Sequence, residues 1–286
     1  DILGTGKTLI QQTFDRYNKL VKKENIFIVT AQEYVAIVKK QLPDLPEENI
    51  VAEPSRKNTA PCIAYIAFKL LKKDPNALMI AAPADHLVLE PDQFLKTAKK
   101  AFDFVDNINA LITIGIKPTY PNTGYGYIQH DTTEAAPDVY KVKTFTEKPN
   151  VELAETFIAS GDFLWNAGIF TWKVKNIIAA IEKYLPEMYE LFAAEKEKFN
   201  TSAEAAAIEN IYPLCTNISI DFGVMEKADN VFVIPASFGW SDLGTWASAY
   251  ETLEKDYLDN AVAGNNVMII DATKNMVHAD NNKLVL

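Results

Sequence analysis

The sequence predicts an α/β fold, doubly wound around a mostly parallel, Rossmann-like sheet, and three observations carry that prediction. Largely apolar runs of five to seven residues alternate with longer amphipathic ones, the pattern of β-α-β units. Those runs are apolar nearly throughout, as strands covered on both faces require. The chain has 286 residues and is 48% hydrophobic, enough for one large core or two smaller ones.

The chain opens "DILGTGKTLI", which invites comparison with a phosphate-binding loop. Gly6-Lys7-Thr8 would close such a motif, but its first glycine would then fall at position 1, where Asp1 stands. A turn at Gly4 and Gly6 leading into a helix is the plainer reading. Thr8 and Gln11 have capping-box spacing, and Ile10, Phe14, Tyr17 and Val21 follow at helical intervals. Strands are expected at 26–30, 49–53, 77–82 and 110–116, with helices at 31–41, 59–73 and 91–106 between them. From about 124 the pattern changes. "GYGYIQH" and "VYKVKTFTEKP" read as a hairpin and "FLWNAGIFTW" as a further strand. A helical stretch follows at 173–212, then the strand "VFVIPA" and a helix after Gly244. Residues 1–255 form one domain in this reading, and 256–286 begin a small C-terminal β segment that stops in mid-strand.

A net charge of -10 argues against a nucleic-acid or anionic-membrane partner and raises the expectation of a divalent cation if phosphates are handled. Cys62 and Cys215 are too few for a disulfide framework and fit a reducing, cytoplasmic setting. The longest apolar run, near "ALMIAAPA", falls short of the ~20 residues a membrane span needs. His86, His130 and His278 are scattered without metal-ligand spacing, and no Ser-His-Asp arrangement is visible. Arginine occurs only at Arg16 and Arg56, which is meagre for stabilising a phosphoryl transition state.

Ligands of open α/β sheets bind beyond the carboxyl ends of the strands, so strand-end polar residues are the first candidates. Asp85 follows one strand and Asp242 another; together they could hold one Mg²⁺, and singly each could be a turn or cap residue. "EPSRKNTAP" joins Glu53 at a strand end to a helix opening near Thr59. There Lys57, Asn58 and the first-turn amides could face a nucleotide, or simply cap a helix with Pro61 in its first turn. Two glycines in "TGYGYIQ" mark a close backbone approach or a hairpin turn. Glu147 and Lys148 are neighbours at a strand end, so both can enter one pocket only if the strand twists or stops there. Asn166, inside an aromatic run, is either a structural hydrogen-bonder or a reader of sugar hydroxyls.

The segments "EPSRKNTAP", "APADH", "NTGYGYI", "FTEKP", "WNAGIF", "SIDFGVMEK" and "GWSDLGTW", in this order, resemble the sugar-nucleotide pyrophosphorylases, in their guanylyltransferase branch. The resemblance covers roughly residues 1–250 and implies a fold of the nucleotide-diphospho-sugar transferase type. It implies GTP and mannose 1-phosphate as partners, Mg²⁺ as cofactor, and admits a homodimer. Carried over by position, Asp85 and Asp242 would be the metal ligands and, with Lys148, the catalytic residues. Glu53, Pro54, Asn58, Thr59, Ala60, Asp85 and His86 would line the nucleotide. Gly126, Glu147, Lys148, Asn166 and Gly168 would hold the sugar phosphate. The family's glycine-rich triphosphate loop would lie before Asp1, which accounts for the scarcity of arginine. Lys57 stands where an arginine often precedes Asn-Thr-Ala-Pro.

Three other readings compete. One is a thymidylyl- or uridylyltransferase acting on glucose 1-phosphate, another a non-catalytic homologue that senses nucleotide sugar, and the third a P-loop kinase.

Overall fold

Amphipathic helices and buried strands build the layers the alternation predicts. The computed structural model describes residues 5–264, 266–279 and 283. Gly4, half of the expected opening turn, and 280–282 and 284–286 of the expected C-terminal β segment lie outside the described residues.

Helix α1 (Leu9–Asn18) starts at Thr8, whose backbone N–H donates to the Gln11 side chain at 3.0 Å, and it buries Phe14 and Tyr17. Strands β1 (Ile28–Ala31) and β2 (Ile50–Glu53) pair in parallel across helix α2 (Val35–Gln41). Helix α3 (Thr59–Lys73) leads to β3 (Leu78–Ala81), a two-residue strand β4 (Leu87–Val88), helix α4 (Pro91–Asn107) and β5 (Leu111–Ile116). The hairpin is β6 (Tyr127–Ala136) and β7 (Val139–Thr146), followed by helix α5 (Val151–Ser160), which the sequence reading does not contain. Then come β8 (Phe163–Lys173) and helices α6 (Val174–Tyr184), α7 (Pro186–Ala194) and α8 (Glu204–Ile211). The rest is β9 (Val231–Ala236), a second two-residue strand β10 (Trp240–Ser241), helix α9 (Trp246–Thr252), and a parallel pair β11 (Ala261–Ala263) and β12 (Met276–His278).

The main sheet has the order β3-β8-β5-β9-β7-β6, with a further pairing of β6 to β8. Strands β3, β5 and β9 point the same way, and β8 runs against them between β3 and β5. Successive residues of β8 enter opposite cores. Phe170 and Trp172 pack with α3 and α6 on one face, while Ala167 and Ile169 pack with α1, α2 and α4 on the other. The sheet is therefore covered on both sides. Among the described residues no helix is long and apolar enough to cross a membrane.

Candidate active site

Two very short strands bring the two candidate aspartates to one place. β4 and β10 pair antiparallel, with Ser241 opposite Leu87 and Trp240 opposite Val88. Extending that register by one step sets Asp242 opposite His86, next to Asp85. The imidazole of His86 feels both carboxylates. Its Nδ1 accepts the Trp240 indole N–H at 3.2 Å, so that nitrogen is unprotonated. Burial pushes the His86 pKa down in the same sense, against the pull of Asp85 and Asp242.

The carboxylate of Asp242 is oriented by two donors to Oδ1, the Tyr125 hydroxyl at 2.7 Å and the Gly244 N–H at 3.0 Å. Asp85 is exposed, at the bend after β3. Among the described residues no group of three or more His, Cys, Asp or Glu side chains could hold a metal. Two carboxylates alone suit Mg²⁺, which takes one or two from the protein and completes its shell with phosphate oxygens and water. The donor set fits that ion and does not fit a metal needing an all-protein cage.

Tyr125 is followed by Gly126, and this pair joins the aspartates to the second half of the site. A Cβ on Gly126 would stand 2.4 Å from Glu147 Oε2 and 3.4 Å from the Asn166 Cβ. Only a bare α-carbon leaves room for that carboxyl. Glu147 Oε2 is buried and has no hydrogen-bond partner. Burial, then the negative charge of Asp221, push the Glu147 pKa up to about 7, with Lys148 pulling the other way. The strand does stop here. β7 ends at Thr146 and Lys148 takes a left-handed conformation (φ 48), rare outside glycine and held by its N–H donating to the Tyr125 carbonyl at 3.2 Å. Its Nζ comes back to 3.7 Å from Glu147 Oε1 while remaining largely exposed. Neighbours that a continuing strand would send to opposite faces thus share one side.

Asn166 lies across β5 and β8. Its Oδ1 accepts from Thr113 Oγ1 at 2.9 Å and from the Gly168 N–H at 3.1 Å, and its Nδ2 donates to Asp221 Oδ1 at 2.8 Å. Gly168, at φ 68, provides the left-handed step that brings β8 against Pro83 at the end of β3.

On the nucleotide side the first turn of α3 is less open than expected. Asn58 accepts the Thr59 N–H at 2.9 Å, Ala60 N–H donates to the Ile218 carbonyl at 3.1 Å, and Pro61 has no N–H. The amides have protein partners, because the turn at 218–221 packs onto the helix start and also fixes Thr59 Oγ1 to the Ile220 N–H at 2.9 Å. What this turn can offer a ligand is the exposed Asn58 and Thr59, with Lys57 drawn to the Pro213 carbonyl. Glu53 is bound to the Tyr212 hydroxyl, and burial raises its pKa. Pro54 faces a different cleft, of about 1060 Å³, which lies along β2, α3 and α8 and holds none of the other expected residues. The structure joins Asp85, His86, Gly126, Glu147, Lys148, Asn166, Gly168 and Asp242 through Tyr125, Trp240 and Asp221. Tyr125 and Asp221 sit inside the family-like segments without a role assigned from sequence; the signal available was that a buried amide and a buried carboxylate need partners.

The Nucleotidyl transferase family matches residues 2–259. A mannose-1-phosphate guanylyltransferase of Salmonella montevideo is 33% identical over 286 residues, 97% of this chain and 59% of that protein. One from Escherichia coli is 34% identical over 268 residues, 91% of this chain and 57% of that protein. The chain thus spans about three fifths of the length of these relatives. A solved mannose-1-phosphate geranyltransferase from Thermus thermophilus superposes with a TM-score of 0.88 at 26% identity, covering 100% of this chain and 81% of that one.

Proposed function

The chain belongs to the nucleotidyl transferase family, and on that premise we propose that the protein transfers GMP from GTP to mannose 1-phosphate. A phosphate oxygen of the sugar phosphate attacks the α-phosphorus of GTP, the bond to the bridging β-phosphate oxygen breaks, and GDP-mannose and pyrophosphate result. The attacking oxygen is already anionic, so the protein has to position and neutralise, and no side chain has to act as nucleophile. Asp85 and Asp242 would hold Mg²⁺, which supplies withdrawal of charge from the α-phosphate and the leaving pyrophosphate when bound. Tyr125 and the Gly244 N–H keep the Asp242 carboxylate turned to that task. Lys148, exposed and bent back over Glu147, would meet the sugar phosphate, while Glu147 and Asn166 receive the hexose hydroxyls.

The observation that carries this reading is the covalent adjacency of Tyr125 and Gly126. One residue serves the aspartate pair and the next makes space for the acid of the sugar pocket. The test is pyrophosphate release by the full-length protein with GTP, dTTP, UTP and ATP, each against mannose 1-phosphate and glucose 1-phosphate, with and without Mg²⁺. GTP with mannose 1-phosphate should be the preferred pair and Mg²⁺ should be required. Preference for dTTP or UTP with glucose 1-phosphate would overturn the substrate assignment, and turnover of none would favour a nucleotide-sugar sensor.

A further inference from the structure

Beside Glu147 and Asn166, at Gly126, stands an acid to which the reading above gives no role. Asp221 opens a π-helical turn (Asp221–Met225), and burial pushes its carboxyl up from the ordinary range. Its one side-chain bond to another element of the pocket is with the Asn166 amide.

That amide has only one orientation. The Gly168 N–H is a donor that cannot reverse its role, and it points at Oδ1 together with the Thr113 hydroxyl. Nδ2 must then face Asp221, and a carboxylate there can only accept. An amide has two N–H bonds; Asp221 takes one, and the other has no acceptor among the described residues. Close by, Glu147 Oε2 lies against the bare α-carbon of Gly126 with no donor. The side chains of Asn166 and Glu147 therefore flank the same glycine.

We infer that Asp221 is a positioning residue for the sugar side: it locks the Asn166 carboxamide so that its remaining N–H stands beside the Glu147 carboxylate, a donor–acceptor pair matched to two neighbouring hydroxyls of a hexose. This rests on the sugar-phosphate reading of the pocket. The choice of an acid at 221 follows from the geometry. The Gly168 N–H already turns Nδ2 toward position 221, so that position must accept; a carboxylate does so with either oxygen, an asparagine only through its one carbonyl oxygen. Its charge has a second consequence. Asp221, Glu226 and Lys148 are the charged groups facing Glu147. Asp221 has an amide donor to stabilise its charge, while Glu147 has only the lysine at 3.7 Å. Glu147, its pKa raised to about 7, takes up a proton near neutrality, and protonation turns one of its acceptor oxygens into a donor.

The test is steady-state kinetics of the full-length protein and its Asp221→Ala and Asp221→Asn variants, with each substrate varied in turn between pH 5.5 and 9. Asp221→Ala should raise the KM for the hexose 1-phosphate tenfold or more and leave that for the nucleotide within twofold. Asp221→Asn keeps a bond to Asn166 but removes the charge. It should move the acid limb of kcat/KM for the sugar phosphate, near pH 7 in the wild type, to lower pH. Unchanged sugar KM in Asp221→Ala, a parallel rise in both KM values, or an unmoved limb in Asp221→Asn would each overturn the inference. If Asp221→Ala does not fold, the limb of the isosteric variant decides alone. A wild type that turns over no hexose 1-phosphate defeats the functional reading; a wild type that does, with variants that match it, defeats only this one.

Discussion

Replacing Glu147 with glutamine should stabilise the fold at neutral and alkaline pH while disabling the sugar pocket. The carboxyl is largely buried, with Asp221 beside it and one oxygen unpartnered, and its pKa stands at about 7 against an ordinary 4.5. At about 1.4 kcal/mol per pH unit, keeping it ionised costs the folded state about 3 kcal/mol. The sign follows from a folded pKa raised above the unfolded one. Below pH 4.5 the acid is neutral in both states and the penalty is absent; it grows between pH 4.5 and 7 and is complete above. Glutamine preserves the shape and never carries the charge, so its gain over wild type should be about 1 kcal/mol at pH 5 and about 3 kcal/mol at pH 8. Urea unfolding followed by tryptophan fluorescence at the two pH values measures it. Equal gains at both, or a loss at pH 8, would show that the acid is not strained by burial and would refute the argument. The same variant should show a raised KM for the sugar phosphate.

Gly126→Ala places a methyl 2.4 Å from Glu147 Oε2, so the carboxyl must leave; sugar-phosphate KM should rise at least tenfold with nucleotide KM little changed, as kinetics would show. Tyr125→Phe removes a charge-assisted hydrogen bond to Asp242, worth about 1.5–3 kcal/mol, and should raise the Mg²⁺ concentration for half-maximal rate about 10- to 100-fold in a Mg²⁺ titration. Lys69 and Glu204 form an ion pair only 10% and 13% exposed, so Lys69→Met alone should cost about 3–5 kcal/mol in urea unfolding. Lys69→Met combined with Glu204→Leu should cost much less, since no uncompensated charge stays buried.

Most of the fold is legible in the sequence because its signals are local. The runs at 49–53, 77–82, 110–116 and 231–236 form β2, β3, β5 and β9, and α3 occupies 59–73 as its cap and periodicity indicate. The motifs that mark the family are also local strings. Helix α5 escapes that reading because it lies between two louder motifs, although Asn150 caps it by accepting the Leu153 N–H at 2.9 Å. Three features belong to tertiary structure alone. The reversed direction of β8 between β3 and β5 is a matter of which strand it pairs with. The meeting of His86 with Trp240, 154 residues away, depends on strands of two residues, too short to have a period. The bond from Asn166 to Asp221 supplies one of the partners needed by an amide whose demand for them the sequence announced. Periodicity reports how a residue stands to its own neighbours along the chain, whereas pairing and hydrogen-bond satisfaction are fixed by elements that the folded chain brings alongside.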